Sequence, residues 1–398
     1  MKKLTFILLV KYTNWTFLLF FLLIQNNVSA QILGAEQTEA YLPLLQNKRV
    51  GLVVNQTSVV NKMHLVDFLR SKQINITSIF APEHGFRGDH SAGEKVKSSI
   101  DAKTKLPVYS LYGAYKKPNE QQLKELDIIV FDIQDVGARF YTYISTLHYV
   151  MEACAEQKKK LIVLDRPNPN GYYIDGPVLD TAFRSFVGMH PVPVVHGLTV
   201  GEYARMINGE GWLKNQASCD LQVIKMKQYT HQTPYVLPIK PSPNLPNMSS
   251  VLLYPSLCFF EGTNYSVGRG TPYPFEFVGK PNCSIGNDTI TPRHLPGIAD
   301  HPPHENKQIR GFNLRDYGSN IAPGQKKINL YWLIELYNND SNKDKFFTNF
   351  FDKLAGTDEL RKQIMAGKNE AEIRASWKDK IEAYKLMRRR YLLYADAQ

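Results

Sequence analysis

The 398-residue chain contains few cysteines, and none of them forms a short paired motif. Cys154, Cys219, Cys258 and Cys283 are far apart and include no C-x-x-C pair, which argues against a zinc knot or a covalently attached haem. Cys154 falls on the apolar stripe of a predicted helix. We therefore expect its thiol to pack as a small hydrophobic group.

Several common catalytic and nucleotide-binding motifs are also missing. The sequence has no G-x-x-x-x-G-K-[ST] loop, and no G-x-G-x-x-G follows its first predicted strand. It has no G-x-S-x-G elbow, which disfavours a serine hydrolase of the usual α/β type. We accordingly predict no nucleotide or other cofactor.

Apolar runs long enough to cross a membrane are absent after residue 30, since none approaches about 20 residues. Residues 1–30 have the pattern of a signal peptide: Lys2 and Lys3 precede apolar runs, and the small residues 28–30 precede Gln31. No cysteine lies near this cut, so a lipid anchor is not expected. We predict cleavage and export to the periplasm or the extracellular space, with an uncleaved anchor as the alternative.

Acidic residues are outnumbered by basic ones, 37 to 48, which gives a formal net charge of +11. The charge falls to +8 when the three lysines of the predicted signal peptide are removed. The basic residues are scattered apart from 158–160 and 388–390, and such short runs are usually solvated surface. We therefore expect no nucleic acid partner. An acidic extracellular polymer fits the charge better, and the 22 Tyr and 20 Phe suit a protein that grips sugar rings.

The fold class predicted from residue 49 onward is α/β, because short apolar runs alternate with helical stretches. The runs are apolar on both faces, as the strands of a buried parallel sheet must be. The predicted strands are Val50–Val54, Ile76–Phe80, Pro107–Leu111, Asp127–Phe131, Leu161–Leu164 and Leu221–Met226. The predicted helices among them are Lys62–Ser71, Tyr141–Gln157 and one that Thr199 begins with a capping box.

A proline-rich segment divides the chain into two predicted domains. Five prolines lie within residues 234–246, so we place a boundary between Thr230 and Val251, with domains at 31–236 and 237–398. In the second domain we predict strands at Val251–Glu261 and Phe275–Val278. A long helix follows Asn369, with Trp377 on its buried face.

Polar residues follow the predicted strands, and the carboxyl ends of parallel strands meet at one edge of a sheet, where ligands bind. This convergence is the strongest functional signal that comes from the residues alone. The residues concerned are 55–57, 82–88, Asp132, Gln134, Asp135, Arg139 and 165–171.

Among these residues, Glu83 is the candidate general acid. Glycosidic bonds are cleaved when one carboxylic acid protonates the leaving oxygen while a second carboxylate or a substrate group acts at the anomeric carbon. Glu83 could instead cap a helix or pair with Arg87. A metal site of Glu83, His84, Asp89 and His90 is less favoured, because it lacks any established ligand spacing.

Six long motifs, in the same order along the chain, resemble the exo-acting β-N-acetylmuramidase family of bacterial cell-wall recycling. The similarity extends from about Leu45 to the C-terminal RRRYLLY and is weakest at 283–311. The motifs are FAPEHGFRGDHSAGE (80–94), FDIQDVGARFYTY (131–143), LDRPNPNG (164–171), VHGLTVGEYARMING (195–209), PSPNLPN (241–247) and FFEGTNYSVGRGTPYPFEFVG (259–279).

The resemblance implies a Rossmann-like, mostly parallel sheet domain, a smaller α+β C-terminal auxiliary domain and an active site in the cleft between them. It implies release of terminal N-acetylmuramic acid from the non-reducing end of peptidoglycan fragments, with Glu83 as the catalytic residue. The second catalytic partner is less firmly assigned in the family. We choose Asp135 from its position at the sheet edge, although it could equally be a structural acid paired with Arg139.

Muramic acid carries a lactyl carboxylate, which a planar guanidinium can bind with two hydrogen bonds. Arg139, Arg166 and Arg269 are the candidates for this contact. Asparagine side chains are candidates for the acetamido group or the hydroxyls, and histidines for orienting the sugar. The other candidate substrate-binding residues are His84, Arg87, Asp132, Asp165, Asn168, His196, Asn244, Glu261 and Asn264.

Three other functions remain open from the sequence. The chain could bind muropeptides without cleaving them, or it could be a broader β-N-acetylhexosaminidase. An esterase or amidase acting on cell-wall peptides would need a nucleophile or a metal that the sequence does not reveal. Glu83 favours an enzyme, because a binding module gains little from a carboxylic acid that faces an anionic ligand.

Overall fold

Short runs of valine, isoleucine, leucine and phenylalanine build a seven-stranded sheet in the computed structural model, which describes residues 31–87, 98–320 and 322–396. The predicted signal peptide lies outside the described residues. The strand order is β5-β6-β4-β1-β7-β8-β9, and every neighbouring pair is parallel except β5 with β6. These strands are β1 Val50–Val54, β4 Ile76–Ala81, β5 Ser99–Ile100, β6 Pro107–Ser110, β7 Ile128–Asp132, β8 Lys160–Leu164 and β9 Asp220–Ile224; β2 Val59–Val60 and β3 Met63–His64 form a separate hairpin.

The central strands are buried on both faces, as a parallel sheet covered by helices requires. β1 pairs with β7 without a register shift, from Val50 opposite Ile128 to Val54 opposite Asp132. The chain runs outward from β1 in both directions, so the strand order reverses beside β1. The predicted α/β class and the predicted strands of this sheet are confirmed.

Helices cover this sheet and also make up much of the C-terminal part. They are α1 Thr38–Leu45, α2 Leu65–Ser71, α3 Glu120–Lys124, α4 Tyr143–Glu156, α5 Val200–Gly209, α6 Met248–Leu257, α7 Arg315–Asn320, α8 Tyr331–Asn338, α9 Phe351–Ala355, α10 Glu359–Met365 and α11 Glu370–Arg389. The predicted capping box at α5 is present: Thr199 accepts from the amide of Glu202, whose carboxylate accepts from the amide of Thr199. Asn369 caps α11 in the same way, and Trp377 is buried there as predicted.

The C-terminal part forms a smaller α+β unit. Its sheet is antiparallel, in the order β10-β12-β11, with β10 at Phe277–Lys280, β11 at Asp288–Ile290 and β12 at Ile309–Asn313. The two-domain α/β architecture is therefore present. The position of the boundary within residues 230–251 remains a prediction; Ser242 and Leu245 form only an isolated bridge there.

The predicted strand Val251–Glu261 is wrong, because this segment is α6 followed by a 3₁₀ turn at Cys258–Gly262. An apolar run that is buried on all sides fits either a strand or a helix. Asn247 begins the helix with a capping box. Pro255 lies inside the helix and cannot donate to the carbonyl of Val251. The side-chain amide of Asn170 donates to that carbonyl instead, at 3.3 Å, which allows the helix to continue.

The four cysteines are buried free thiols, and Cys154 lies in the main hydrophobic core as predicted. Within the described residues, no helix is both long enough and apolar enough to span a membrane.

Candidate functional site

A cavity of about 830 Å³ opens beyond the carboxyl ends of β4, β6 and β7. The loop after each of these strands contributes to its wall, and residues from the C-terminal part complete it. The wall is largely aromatic with a few charged groups, as is typical of small-molecule sites. It comprises Glu83, His84, 112–113, Lys116, 140–143, 186–187, Ser242, 244–245, Tyr254, Glu261, Arg269, Phe275, 298–303 and Phe350.

Glu83 is held at this wall by a tight turn and by a hydroxyl group. The turn follows β4: the amide of Gly85 donates to the carbonyl of Pro82 at 3.0 Å, with His84 and Gly85 in the left-handed region at φ 69° and 79°. The hydroxyl of Thr142 donates to Oε2 of Glu83 at 2.7 Å. The carboxyl group is half-buried and fixed in orientation, as a group that delivers a proton must be.

The Tyr112 hydroxyl also lies next to Glu83. Burial, followed by the negative charge of Glu83 and a hydrogen bond to it, raises the pKa of Tyr112 well above the usual range of tyrosine. The phenol therefore stays protonated at neutral pH and donates to the carboxylate. Glu261 and Arg269 also act on Tyr112 electrostatically, so these charged groups share one neighbourhood.

Arg269 and Glu261 form an ion pair at the cavity wall. Nε of Arg269 donates to Oε1 of Glu261 at 2.6 Å, and the guanidinium lies 5.0 Å from the centre of the Phe275 ring. Gly268 and Gly270 flank Arg269 at φ 80° and 78°, a conformation that other residues adopt with difficulty. Nη1 of Arg269 is buried and has no hydrogen-bond partner among the described residues.

The proline-rich segment forms another part of the wall. Nε2 of His84 and the hydroxyl of Ser242 are 3.1 Å apart, and this hydroxyl accepts from the amide of Asn244 at 3.2 Å. The side-chain amide of Asn244 donates to the carbonyl of Ile298 at 2.7 Å, while its Oδ1 is buried without a partner in the described part of the chain. Tyr141 fixes the segment through a 2.7 Å bond to the carbonyl of Pro241.

The structure brings together five of the residues predicted for the site, and it places the others elsewhere. Those on the cavity wall are Glu83, His84, Asn244, Glu261 and Arg269. The remaining nine are Arg87, Asp132, Asp135, Arg139, Asp165, Arg166, Asn168, His196 and Asn264. Asp89 and His90 of the alternative metal site lie outside the described residues. Within those residues, no group of three potential ligand side chains is arranged to hold a metal ion.

Arg139 requires a correction, because its guanidinium is fully buried and binds backbone carbonyls. Nη1 donates to the carbonyls of Pro177 and Val192 at 2.8 and 2.7 Å, and Nη2 to those of Leu354 and Ala355 at 2.9 and 2.7 Å. These four bonds join the loop before α5 to α9. They leave Arg139 a structural role in place of the predicted contact with the lactyl group.

Arg166 is likewise engaged beneath the sheet edge. Its guanidinium forms a buried two-bond pair with Asp132, at 2.5 and 2.8 Å. Asp165 accepts from the hydroxyls of Thr199 and Tyr394 at 2.8 and 2.6 Å. The sequence correctly placed these residues at the carboxyl edge of the sheet. Their charges are neutralised or bound internally, so they support the strand ends and do not face the cavity.

Four more of the residues off the wall also have local contacts. The Asn168 side-chain amide donates to the carbonyl of Leu198 at 2.9 Å, and Nδ1 of His196 accepts from the Leu198 amide at 3.2 Å. Arg87 pairs with Asp101 at 3.0 Å. The backbone amide of Asn264 donates to the carbonyl of Phe346 at 2.9 Å.

Asp135 is buried and does not line the cavity. Its Oδ2 accepts from the amide of Gly137 at 2.6 Å and lies 4.0 Å from Nε2 of His196, while Oδ1 has no partner among the described residues. Burial raises the pKa of Asp135 to about 7. Its assignment as the second catalytic carboxylate stays a prediction, and the cavity lining gives that assignment no support.

The Asp135→Asn variant tests this assignment through both stability and rate. The pKa of Asp135 in the folded protein lies above its usual value of 3.8. Its contribution to the free energy of unfolding is therefore fully present below about pH 4 and is lost as the pH rises to about 7. We expect Asp135→Asn to flatten this part of the pH dependence of the unfolding free energy, measured by urea denaturation. We expect hydrolysis to continue. A loss of activity of about 100-fold or more would restore Asp135 as a catalytic carboxylate.

Sequence reasoning missed the hydroxyl-bearing side chains that line the cavity together with Glu83. Tyr112 follows β6 by two residues, so inspecting the end of that strand could have found it. Tyr141, Thr142 and Tyr143 lie within the motif quoted for 131–143 but carry no charge, and attention to ionisable groups passed over them.

A buried α/β sheet with a hydrogen-bonded glutamate, tyrosines and an arginine around a cavity at its carboxyl edge has the features of a glycoside hydrolase. Comparison with known proteins gives the family. Residues 50–249 match the N-terminal model, and residues 252–394 the C-terminal model, of the exo-beta-N-acetylmuramidase NamZ family. The chain belongs to this family, and it is a glycoside hydrolase.

Individual relatives agree with this assignment. The chain is 40% identical to the peptidoglycan beta-N-acetylmuramidase NamZ of Bacillus subtilis, across 89% of each chain. Two crystal structures of DUF1343 family proteins from Bacteroides fragilis are similar to it. One has a TM-score of 0.85 at 50% identity and covers 93% of this chain and 100% of its own. The other has a TM-score of 0.77 at 30% identity and covers 92% and 99%.

Proposed function

We propose that this protein is an exo-β-N-acetylmuramidase that removes β-1,4-linked N-acetylmuramic acid from the non-reducing end of peptidoglycan fragments, with Glu83 as the catalytic acid. The main observation in support of this proposal is the position of Glu83 on the cavity wall, where the hydroxyl of Thr142 donates to its carboxyl group. The family and the relative from B. subtilis support the choice of substrate.

In the proposed reaction, Glu83 gives its proton to the oxygen of the glycosidic bond as that bond breaks. The hydroxyl of Thr142 holds Oε2, and Tyr112 supplies a second donor to the carboxylate that remains. Both hydrogen bonds strengthen as negative charge develops on Glu83, which lowers the barrier to proton transfer.

In this proposal the acetamido oxygen of the substrate attacks the anomeric carbon as the leaving oxygen departs, which gives an oxazolinium ion. Water then attacks the same carbon and reopens this ring, and the Glu83 carboxylate takes the proton of that water, so N-acetylmuramic acid is released and the acid is restored. Glu261, a carboxylate on the same wall, is already held by Arg269 at 2.6 Å. The unpartnered Oδ1 of Asn244 provides an acceptor for the acetamido N–H, which would orient that group. Asp135 is not needed in this mechanism.

Arg269 is the proposed partner of the lactyl carboxylate. Its Nε donates to Glu261, but its buried Nη1 has no hydrogen-bond partner among the described residues. A substrate can therefore bind Nη1 without breaking an existing hydrogen bond. A buried guanidinium nitrogen without a partner is costly, and an anionic ligand would remove that cost. We further propose that the protein acts after export, from residue 31 onward, as the sequence of residues 1–30 predicts.

The proposal is tested by incubating residues 31–398 with a chromogenic N-acetylmuramide and, separately, with the matching N-acetylglucosaminide. We expect kcat/KM to be about tenfold or more higher for the muramide, because the glucosaminide lacks the lactyl carboxylate. Equal rates would instead indicate a broader β-N-acetylhexosaminidase. Binding of the muramide without turnover would indicate a muropeptide-binding protein.

A further inference from the structure

A second cavity of about 450 Å³ adjoins the first one. Lys116 and Phe186 line both cavities, so the two meet at these side chains. The second cavity extends from there to α4, through His148 and Glu152, and to the segment after α5, through Trp212. A substrate that fills the first cavity could therefore continue into the second.

The second cavity has more positive than negative charge. Lys116, Arg184 and Lys214 line it, and none of the three forms an ion pair with a described residue. Its carboxylate, Glu152, already accepts from Lys117 at 2.8 Å and from the amide of Lys214 at 3.0 Å. The three cations therefore remain available to an external anion.

His148, which lines the cavity, and His190, which contacts His148 but does not line the cavity, supply no further cations at neutral pH. Burial lowers the pKa of His148 to about 4, and it holds the pKa of His190 well below its usual value. His190 stacks on Trp212, with the ring centres 4.6 Å apart, and is 2.9 Å from His148. His148 and Trp212 thus form an uncharged aromatic part of the lining, and Lys116, Arg184 and Lys214 line the same cavity.

We infer that this second cavity binds a carboxylate of the leaving fragment, beyond the sugar next to the cleaved bond. The inference rests on the proposed function, in which the first cavity holds the terminal muramic acid. N-Acetylglucosamine, the next sugar, is neutral, so it gives the three cations no partner. The muramic acid after it offers a carboxylate either on its own lactyl group or on a short acidic peptide attached there.

The test compares three substrates in the double variant Arg184→Gln/Lys214→Gln. The substrates are the chromogenic N-acetylmuramide, the tetrasaccharide of alternating muramic acid and glucosamine units with free lactyl groups, and the same tetrasaccharide with a peptide on its second muramic acid. We expect kcat/KM on the chromogenic compound to stay within about twofold. We expect KM for one or both tetrasaccharides to rise about three- to tenfold, as is reasonable for partly exposed charge pairs.

The matched control is Lys368→Gln/Lys378→Gln, which removes the same charge from exposed positions outside both cavities. It should leave all three KM values unchanged. A KM rise for the free tetrasaccharide identifies the lactyl carboxylate, and a rise confined to the peptide-bearing one identifies the peptide. Unchanged KM values, or equal losses on all three substrates, would overturn the inference. Lack of turnover of the chromogenic muramide by the unmodified protein would instead overturn the proposed function.

Discussion

Replacing Glu83 by glutamine should lower kcat on the natural disaccharide of N-acetylmuramic acid and N-acetylglucosamine by about 10²- to 10⁴-fold, the usual contribution of a general acid. Glutamine keeps the shape of the side chain, and its carbonyl oxygen can still accept from the hydroxyl of Thr142. It has no acidic proton to give to the leaving oxygen. KM should change little, because the loss falls on the transition state and not on substrate binding.

The leaving group provides a second measurement on this variant. A nitrophenolate departs without protonation, whereas a sugar alkoxide needs a proton. We therefore expect Glu83→Gln to lose more activity on the natural disaccharide than on the nitrophenyl compound. Equal losses on the two substrates would argue that Glu83 has a role other than proton donation.

Arg87→Gln is the matched control, because it changes a neighbouring charged residue of the same motif that lies off the cavity wall. It should keep most of the activity. Melting curves of both variants should match that of the unmodified protein, because Glu83 is only half-buried. Near-normal turnover of the natural disaccharide by folded Glu83→Gln would remove the assignment.

The pattern of apolar and polar residues predicted the sheet well, because buried parallel strands appear in the sequence as short, continuous apolar runs. β1 lies at Val50–Val54, as the sequence predicts, and the capping box at Thr199 is present. The misread segment was α6, whose apolar residues are buried all around the helix and so leave no alternation to read. Its continuation past Pro255 depends on Asn170, a residue 81 positions away from Val251, and local patterns carry no such information.

The site was harder to predict, because the sheet edge gathers two kinds of polar residue. Glu83 faces the cavity, whereas Asp132 and Arg166 neutralise each other below it. Both kinds follow strand ends, so position along the chain does not distinguish them. The hydrogen-bond and ion-pair partners of each residue in the structure do distinguish the two kinds. Arg139 shows this most clearly, since its four carbonyl partners come from segments up to 216 residues away.

The same pairing argument singles out Arg269 as the determinant of sugar selectivity. Arg269→Leu should lower kcat/KM on the N-acetylmuramide about 10- to 150-fold, the loss expected for a charge-assisted hydrogen bond of about 1.5 to 3 kcal/mol. Any residual activity on the N-acetylglucosaminide should change little, because that sugar has no lactyl carboxylate. The readout is therefore the ratio of the two kcat/KM values.

Removing Arg269 also leaves Glu261 without its partner, so this variant alone does not isolate the lactyl contact. Glu261→Gln breaks the ion pair but keeps the guanidinium, and it should preserve the preference for the muramide even if the overall rate falls. Arg269→Lys keeps the charge but loses the planar fork, so it should retain part of the preference. If Arg269→Leu and Glu261→Gln reduced activity on both sugars equally, the pair would be structural, and the lactyl group would have to be recognised elsewhere on the wall.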